Sequence, residues 1–394
     1  MRDLFCIKNG LVFFEGEFRE LDILIEEDRI TKIGKRLSGD ENYDAKDCIV
    51  VPGLIDPHVH LREPGAEYKE DFFTGSRAAV AGGFTTVIDM PNNPIPTVNA
   101  NRFNEKIALA RKKAVCNVLF HFGGTDNNQG EAKKANALSM KIYLGKTTGE
   151  LFLRKPDSLE RHFRAFDGVF VFHASASEGN EREQIKKTVE NIMAVGTLKK
   201  KYERKCHIAH ISSVEELDAA KNFGLSTETA PHYLFLSSKD AEKLGKLGTV
   251  YPNLRSEDER RELLANLQRI DCIATDHAPH TMEDKEKGAH GFPGLETSLS
   301  LMLKLYWERT LSLEWIINAM SKNVASIFGL NEGEIKIGGN ANLSIIDLKK
   351  EWRVVGNELY TKCKWSPFEG WLLKGKAKSV FVKGNLVYDD YSFL

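Results

Sequence analysis

Short apolar runs bounded by turn residues dominate the first fifty positions: Leu4-Phe5-Cys6-Ile7, Leu11-Val12-Phe13-Phe14, then 21–25 and 29–33. Lys8-Asn9-Gly10 between the first two predicts a hairpin, because Asn-Gly tolerates the positive φ of a tight turn. From Pro52 the pattern changes. Eight apolar runs, at 50–55, 85–90, 117–122, 140–144, 168–172, 206–211, 226–230 and 271–275, alternate with segments long enough for helices, such as 102–113 and 182–195. That spacing predicts eight βα units and an α/β fold of the TIM (β/α)8 barrel type. A doubly wound open sheet is the alternative, weakened because no G-x-G-x-x-G follows a strand. Past residue 333 strand patterns return at 334–339, 343–347 and 379–382, with a turn at Lys383-Gly384-Asn385. The expected architecture is a barrel over 52–333 flanked by a small β-sandwich domain built from both chain ends, 1–51 and 334–394.

Barrel enzymes place their chemistry at the C-terminal ends of the strands. Here those ends carry eight of the eleven histidines. The first run leads into Asp56-Pro57-His58-Val59-His60-Leu61-Arg62. Alternation along a strand turns His58, His60 and Arg62 to one face, where two imidazoles can grip a metal ion and a guanidinium a carboxylate. Alone, a His-x-His is more often a pair of strand-end polar residues than a ligand pair. The other tips change that weighing: Asp89-Met90-Pro91-Asn92-Asn93, Lys141, His173, His207 and His210, His232, and Asp276-His277-Ala278-Pro279-His280.

Gathered into one site, these residues describe a two-metal hydrolase, with His58 and His60 on one zinc ion and His173 and His210 on the other. Asp276 can ligate and also carry a proton. Lys141, an ammonium inside a barrel beside two dications, should have a lowered pKa. As a neutral amine it can take up carbon dioxide and bridge the ions as a carbamate. The remaining positive charge favours an anionic substrate. His207 and His210 have opposite strand parity, so one of them should be packed rather than ligating. His277 has the wrong parity beside Asp276, Asp89 could satisfy strand-end backbone, His232 could cap a turn, and His121, His162 and His290 read as structural.

Composition excludes some partners. Net charge is −1 over 394 residues, which gives no polyelectrolyte reason for binding nucleic acid or a membrane surface. The basic run at 198–205 reads as a solvated helix end. No window is apolar enough to span a bilayer and no signal-type core opens the chain. Six scattered cysteines without a C-x-x-C pair fit buried reduced thiols and a cytoplasmic home.

The stretches 56–65, 89–92, 274–280 and Gly291-Phe292-Pro293-Gly294-Leu295-Glu296 resemble the cyclic-amidohydrolase branch of the amidohydrolase superfamily and, within it, the dihydroorotases. The resemblance runs nearly end to end. It implies a TIM barrel with a β-sandwich flank, two zinc ions, and ligands at His58, His60, His173, His210 and Asp276. Lys141 would be the carboxylated lysine linking the metals. Arg62, Asn92 and His280 would bind the substrate carboxylate. The implied reaction is the reversible cyclisation of N-carbamoyl-L-aspartate to L-dihydroorotate, with Asp276 as the catalytic proton shuttle. Possible partners are aspartate transcarbamoylase or a second copy of the chain. Two features stand apart. Tyr251-Pro252-Asn253-Leu254-Arg255 puts tyrosine where the family has an asparagine that helps hold the ring, and Gly145-Lys146-Thr147-Thr148-Gly149 suggests a lid whose threonines reach the substrate. Hydantoinase-, dihydropyrimidinase- or allantoinase-like activity is the nearest alternative, disfavoured by Arg62. A catalytically silent scaffold is the other, disfavoured by the full ligand set.

Overall fold

The computed structural model describes residues 4–145, 151–155 and 157–394; the expected lid threonines Thr147 and Thr148 lie outside them. Eight strands run parallel, each hydrogen-bonded to the next: Leu54–Val59, Phe84–Asp89, Asn117–Gly123, Ser139–Tyr143, Val169–His173, Cys206–Ile208, Ser226–Thr229 and Cys272–Ile273. A bridge between Val59 and His277, with His60 N–H donating to His277 O at 2.8 Å, joins last to first and completes the barrel. The last strand has only two residues because Thr275 turns inward: its N–H and hydroxyl both donate to the buried Asp56 carboxylate, at 3.1 and 2.5 Å.

Helices return the chain between strands, and side-chain caps mark their starts. Asp71 caps Phe72–Ala81, Asn99 caps Ala100–Lys113, Asn180 caps Glu181–Tyr202 and Ser213 caps Val214–Asn222. Each takes up an N–H that the first helical turn leaves unpaired. The outward faces of the strands pack on these helices; Phe170 and Phe172 stack with Phe163 of Ser158–Ala165 at 4.6 and 6.1 Å. That leaves Val171 and His173, the alternate residues, for the barrel interior. All six cysteines are buried and free. Among the described residues no helix is long and apolar enough to cross a membrane.

The chain ends form a second sheet of nine strands, from Leu4–Phe14 to Ile49–Pro52 at one end and Leu343–Arg353 to Ser392–Phe393 at the other. It is one hydrogen-bonded sheet that curls on itself, so that the rings of Phe5 and Phe381 meet at 5.3 Å and Tyr43 Oη lies 2.6 Å from Ser379 Oγ.

Three local expectations are corrected. Asn9-Gly10 does not turn a hairpin: Leu4–Phe14 is one strand with a register shift at that point, and the turn falls at Glu15-Gly16, both at positive φ. A bulge absorbs Asn9's φ of 60° as readily as a turn would. Residues 334–339 are turns rather than a strand, although Ile335 is buried in the small sheet's core. The first apolar run is split between the sheets. Ile49–Pro52 pairs with the chain-end sheet, and the barrel begins at Leu54. Gly53 makes the crossing possible, since a Cβ there would sit 2.0 Å from Thr85 Oγ1.

Candidate functional site

At the C-terminal mouth of the barrel the imidazoles form a chain. Ring centroids of His60 and His58 are 5.3 Å apart, those of His58 and His210 5.4 Å, and those of His210 and His173 4.6 Å. His173 Nδ1 and His210 Nε2 approach to 2.8 Å. Asp276 Oδ1 lies 3.3 Å from His58 Nε2 and 3.2 Å from His60 Nε2. These three side chains present ligand atoms close enough together to hold a metal ion. Backbone turns do part of the placing. His58 lies inside its strand, but His60 and Arg62 lie beyond it, and Arg62, His210 and Asp276 all have positive φ, so strand alternation alone does not set their directions.

Burial keeps His60, His173 and His210 neutral, which is the form that ligates. It pulls His60 down to about 3 although Asp276 opposes it, and it pulls His173 to about 3 with help from Lys141. His210 is held well below its ordinary value by burial and by His173. Burial alone would raise Asp276, but His58 and His60 hold its carboxyl well below the usual range.

Lys141 occupies the middle of Ser139–Tyr143, with no exposed surface and no hydrogen-bond partner for Nζ. Burial lowers its pKa to about 8, against the pull of Glu228 and Asp276. A buried, unpaired amine near Glu228, Asp276, His173 and His210 is a polar atom whose chemistry is incomplete, and a carbamate on it would supply two further oxygens to the cluster.

Sequence reasoning overlooked Glu228, which fixes two rings. Its Oε1 is 2.5 Å from His58 Nδ1 and its Oε2 3.0 Å from His207 Nε2; His207 Nδ1 in turn meets Ser226 Oγ at 2.9 Å. The available signal was an acid at the centre of the short strand-like run 226–230, Ser226-Thr227-Glu228-Thr229-Ala230. His207 is thereby the packed member of its pair. His207, Glu228 and Cys272 also stand within ligand spacing, but Glu228 is engaged by two imidazoles and the Cys272 thiol donates to Thr227 O with its pKa raised by burial.

Arg62 is buried on the cavity wall. Its Nε donates to Pro279 O at 3.0 Å, and Nη2 lies 2.9 Å from His280 Nε2. Burial lowers its pKa only to about 10, so it keeps its charge at neutral pH. Asn92 Oδ1 is 2.8 Å from His60 Nδ1, which ties that ring to the same wall. Asp89 does satisfy backbone, accepting from Leu61 N–H at 2.7 Å, and is also paired with buried Lys106 at 2.6 Å. His277 faces Glu70 at 3.5 Å and accepts from Gly294 N–H at 3.1 Å. His121 and His162 have structural partners in Pro57 O and Thr125 O. His232 is buried within Pro231–Phe235 rather than capping a turn. His290 departs from its structural reading: it lines the cavity, stacked on Tyr251.

The amidohydrolase family model matches residues 49–387. The chain belongs to the amidohydrolase family. It is 37% identical over 390 residues to the dihydroorotase of Thermococcus kodakarensis, covering 97% of this chain and 94% of that protein. It is 38% identical to the dihydroorotase of Pyrococcus abyssi, again with 97% and 94% coverage. Among solved structures, the L-hydantoinase of Arthrobacter aurescens superposes with a TM-score of 0.92 at 27% identity, over 100% of this chain and 98% of that one.

Proposed function

We propose that this chain catalyses the dihydroorotase reaction, the reversible cyclisation of N-carbamoyl-L-aspartate to L-dihydroorotate. The observation that carries this reading is Arg62. A charged guanidinium, buried against His280 at the edge of the His58, His60 and Asp276 cluster, suits a small cyclic amide that bears a carboxylate. The names of the archaeal relatives support the same reading.

His58, His60, His173, His210 and Asp276 would hold two zinc ions, with carboxylated Lys141 between them. The donor set fits: imidazoles, of which His60, His173 and His210 are held neutral by burial, one ionised carboxylate, and a buried amine whose lowered pKa makes carbamate formation accessible at neutral pH. When bound, the ions supply Lewis acidity to the ring carbonyl and acidify a water. The protein's own residues do the rest. Arg62, Asn92 and His280 take the substrate carboxylate and fix the ring. In hydrolysis Asp276 accepts the proton of the attacking water and delivers it to the leaving amide nitrogen, and cyclisation reverses both transfers. The open form carries two carboxylates and the ring one, so closure consumes a proton and acid favours the ring. The barrel over 52–333 would house this chemistry, with 1–51 and 334–394 as the flanking domain. A cytoplasmic location, and assembly with aspartate transcarbamoylase or with a second copy, complete the proposal.

The L-hydantoinase likeness favours a second reading, turnover of carboxylate-free rings. One assay separates them. Arg62→Met is expected to raise KM for dihydroorotate about a hundredfold, the scale for losing one partner of a buried charged pair, while leaving any hydantoin turnover within a few-fold. Hydantoin turnover by the wild type without dihydroorotate turnover would reverse the choice. Support for His58 is tested separately. Glu228→Gln keeps the shape but removes the charge that holds His58 Nδ1–H, and should weaken zinc binding ten- to a hundredfold in a chelator competition. Unchanged zinc affinity would remove Glu228 from the centre.

A further inference from the structure

One side of the cavity is made of two loops held together by a buried cation. Gly291 N–H donates to Thr249 O at 3.0 Å, and Thr249 Oγ1 donates to Ala289 O at 2.8 Å. Lys285, with no exposed surface, drives its ammonium into this junction and donates to Thr249 O at 2.6 Å, Thr249 Oγ1 at 2.9 Å and Gly291 O at 3.2 Å. All three acceptors are neutral. The other near neighbours of Nζ are the rings of Phe292 and Trp365, at 5.4 and 5.5 Å. Burying an ammonium against neutral acceptors is costly, and burial together with Arg62 lowers its pKa to about 7. Gly291 closes the junction from the other side. Its φ is +143°, and a Cβ would stand 2.5 Å from Ala278 O, which presses the loop onto the segment after Asp276.

What the two loops carry into the cavity is a pair of rings. Tyr251 and His290 stack with centroids 3.8 Å apart and planes 7° from parallel, and both line the cavity. The pair is one contact from the anion corner: His290 O lies 3.0 Å from His280 Nε2, and His280 lies against Arg62. A carboxylate held on Arg62 therefore sets the remainder of the molecule beside a flat, polarisable surface.

We propose that the Tyr251–His290 pair is the ring-recognition wall of this site, selective for the flat ureide portion of a six-membered ring over the flexible open chain, and that Lys285 is the positioning residue that sets it. This rests on the function proposed above and names its specificity element. A preorganised ring loses little freedom on packing against an aromatic face, whereas an open carbamoyl chain must be ordered first.

The test is equilibrium binding of orotate, a flat carboxylated pyrimidine that does not react, alongside steady-state kinetics with N-carbamoyl-aspartate, all on the zinc-loaded full-length chain. Tyr251→Ala should weaken orotate about tenfold while moving KM for the open chain by less than about threefold, and Tyr251→Phe should restore most of the loss. Lys285→Met should weaken orotate about fivefold in the wild-type background and hardly at all in Tyr251→Ala, because it acts through the wall. Equal losses for ring and open chain, or orotate binding indifferent to Tyr251→Ala, would overturn the proposal, and additive losses in the double variant would overturn the role of Lys285. Failure of the parent reading looks different: the wild type itself would neither bind orotate nor turn over dihydroorotate.

Discussion

Replacing Lys141 by methionine should reduce dihydroorotate turnover on the order of 10³-fold or more, while the metal-free protein stays folded and melts no lower than the wild type. The two halves of this expectation have separate causes. In the metal-free protein Lys141 Nζ is fully buried without a hydrogen-bond partner, and an unsatisfied buried polar group costs about 1–3 kcal/mol, more if charged. Methionine fills nearly the same volume without that cost, so the barrel has no reason to lose stability. On the proposed reading, activity depends on the opposite property: only a free amine can become a carbamate, which would add two oxygens to the donor set without adding a residue. Zinc stoichiometry should fall together with turnover, and intact-mass spectra of the wild type prepared under bicarbonate should show an added carbon dioxide that the variant lacks. Turnover within tenfold of wild type would remove Lys141 from the mechanism.

The second large effect is expected at Asp276. Asp276→Asn preserves the size of the side chain and an oxygen facing His58 and His60, but abolishes the ability to accept and return a proton. Loss of a positioned general base typically costs 10²- to 10⁴-fold, and a fall in kcat of about 10³ is expected, with orotate affinity changed only a few-fold. The split matters because Asp276 also belongs to the group able to hold a metal. If zinc and orotate affinities both collapse with kcat, Asp276 serves binding and the proton is carried elsewhere; if kcat barely moves, the shuttle assignment fails.

How much of this was legible in the chain differs from feature to feature. The eight βα units could be read because parallel barrel strands are buried on both faces and so leave continuous apolar runs. The accumulation of histidines after those runs could be read because barrel chemistry collects at strand ends. Tyr251 stood out as a departure from the resemblance, yet its partner His290 carried no mark, since a stack between residues 39 positions apart in the chain leaves no local pattern. Glu228 was missed for a related reason: its meaning lies in two imidazoles from other strands, His58 and His207, that no spacing rule connects to it. The Asn9-Gly10 signal misled because the same positive φ serves a bulge and a hairpin alike, and pairing partners choose between them.

By itself the sequence determined the period of the fold, the kinds of ligand available and the presence of a cation suited to a carboxylate, because these follow from residue type and from the geometry of single strands. Only the tertiary structure decided which tips share a centre, that Lys141 is left without a partner, and that Lys285 staples the loops bearing Tyr251 and His290. Those outcomes depend on barrel closure through Val59 and His277 and on turns at positive φ, which bring distant segments within a few ångströms in ways that no local interaction encodes.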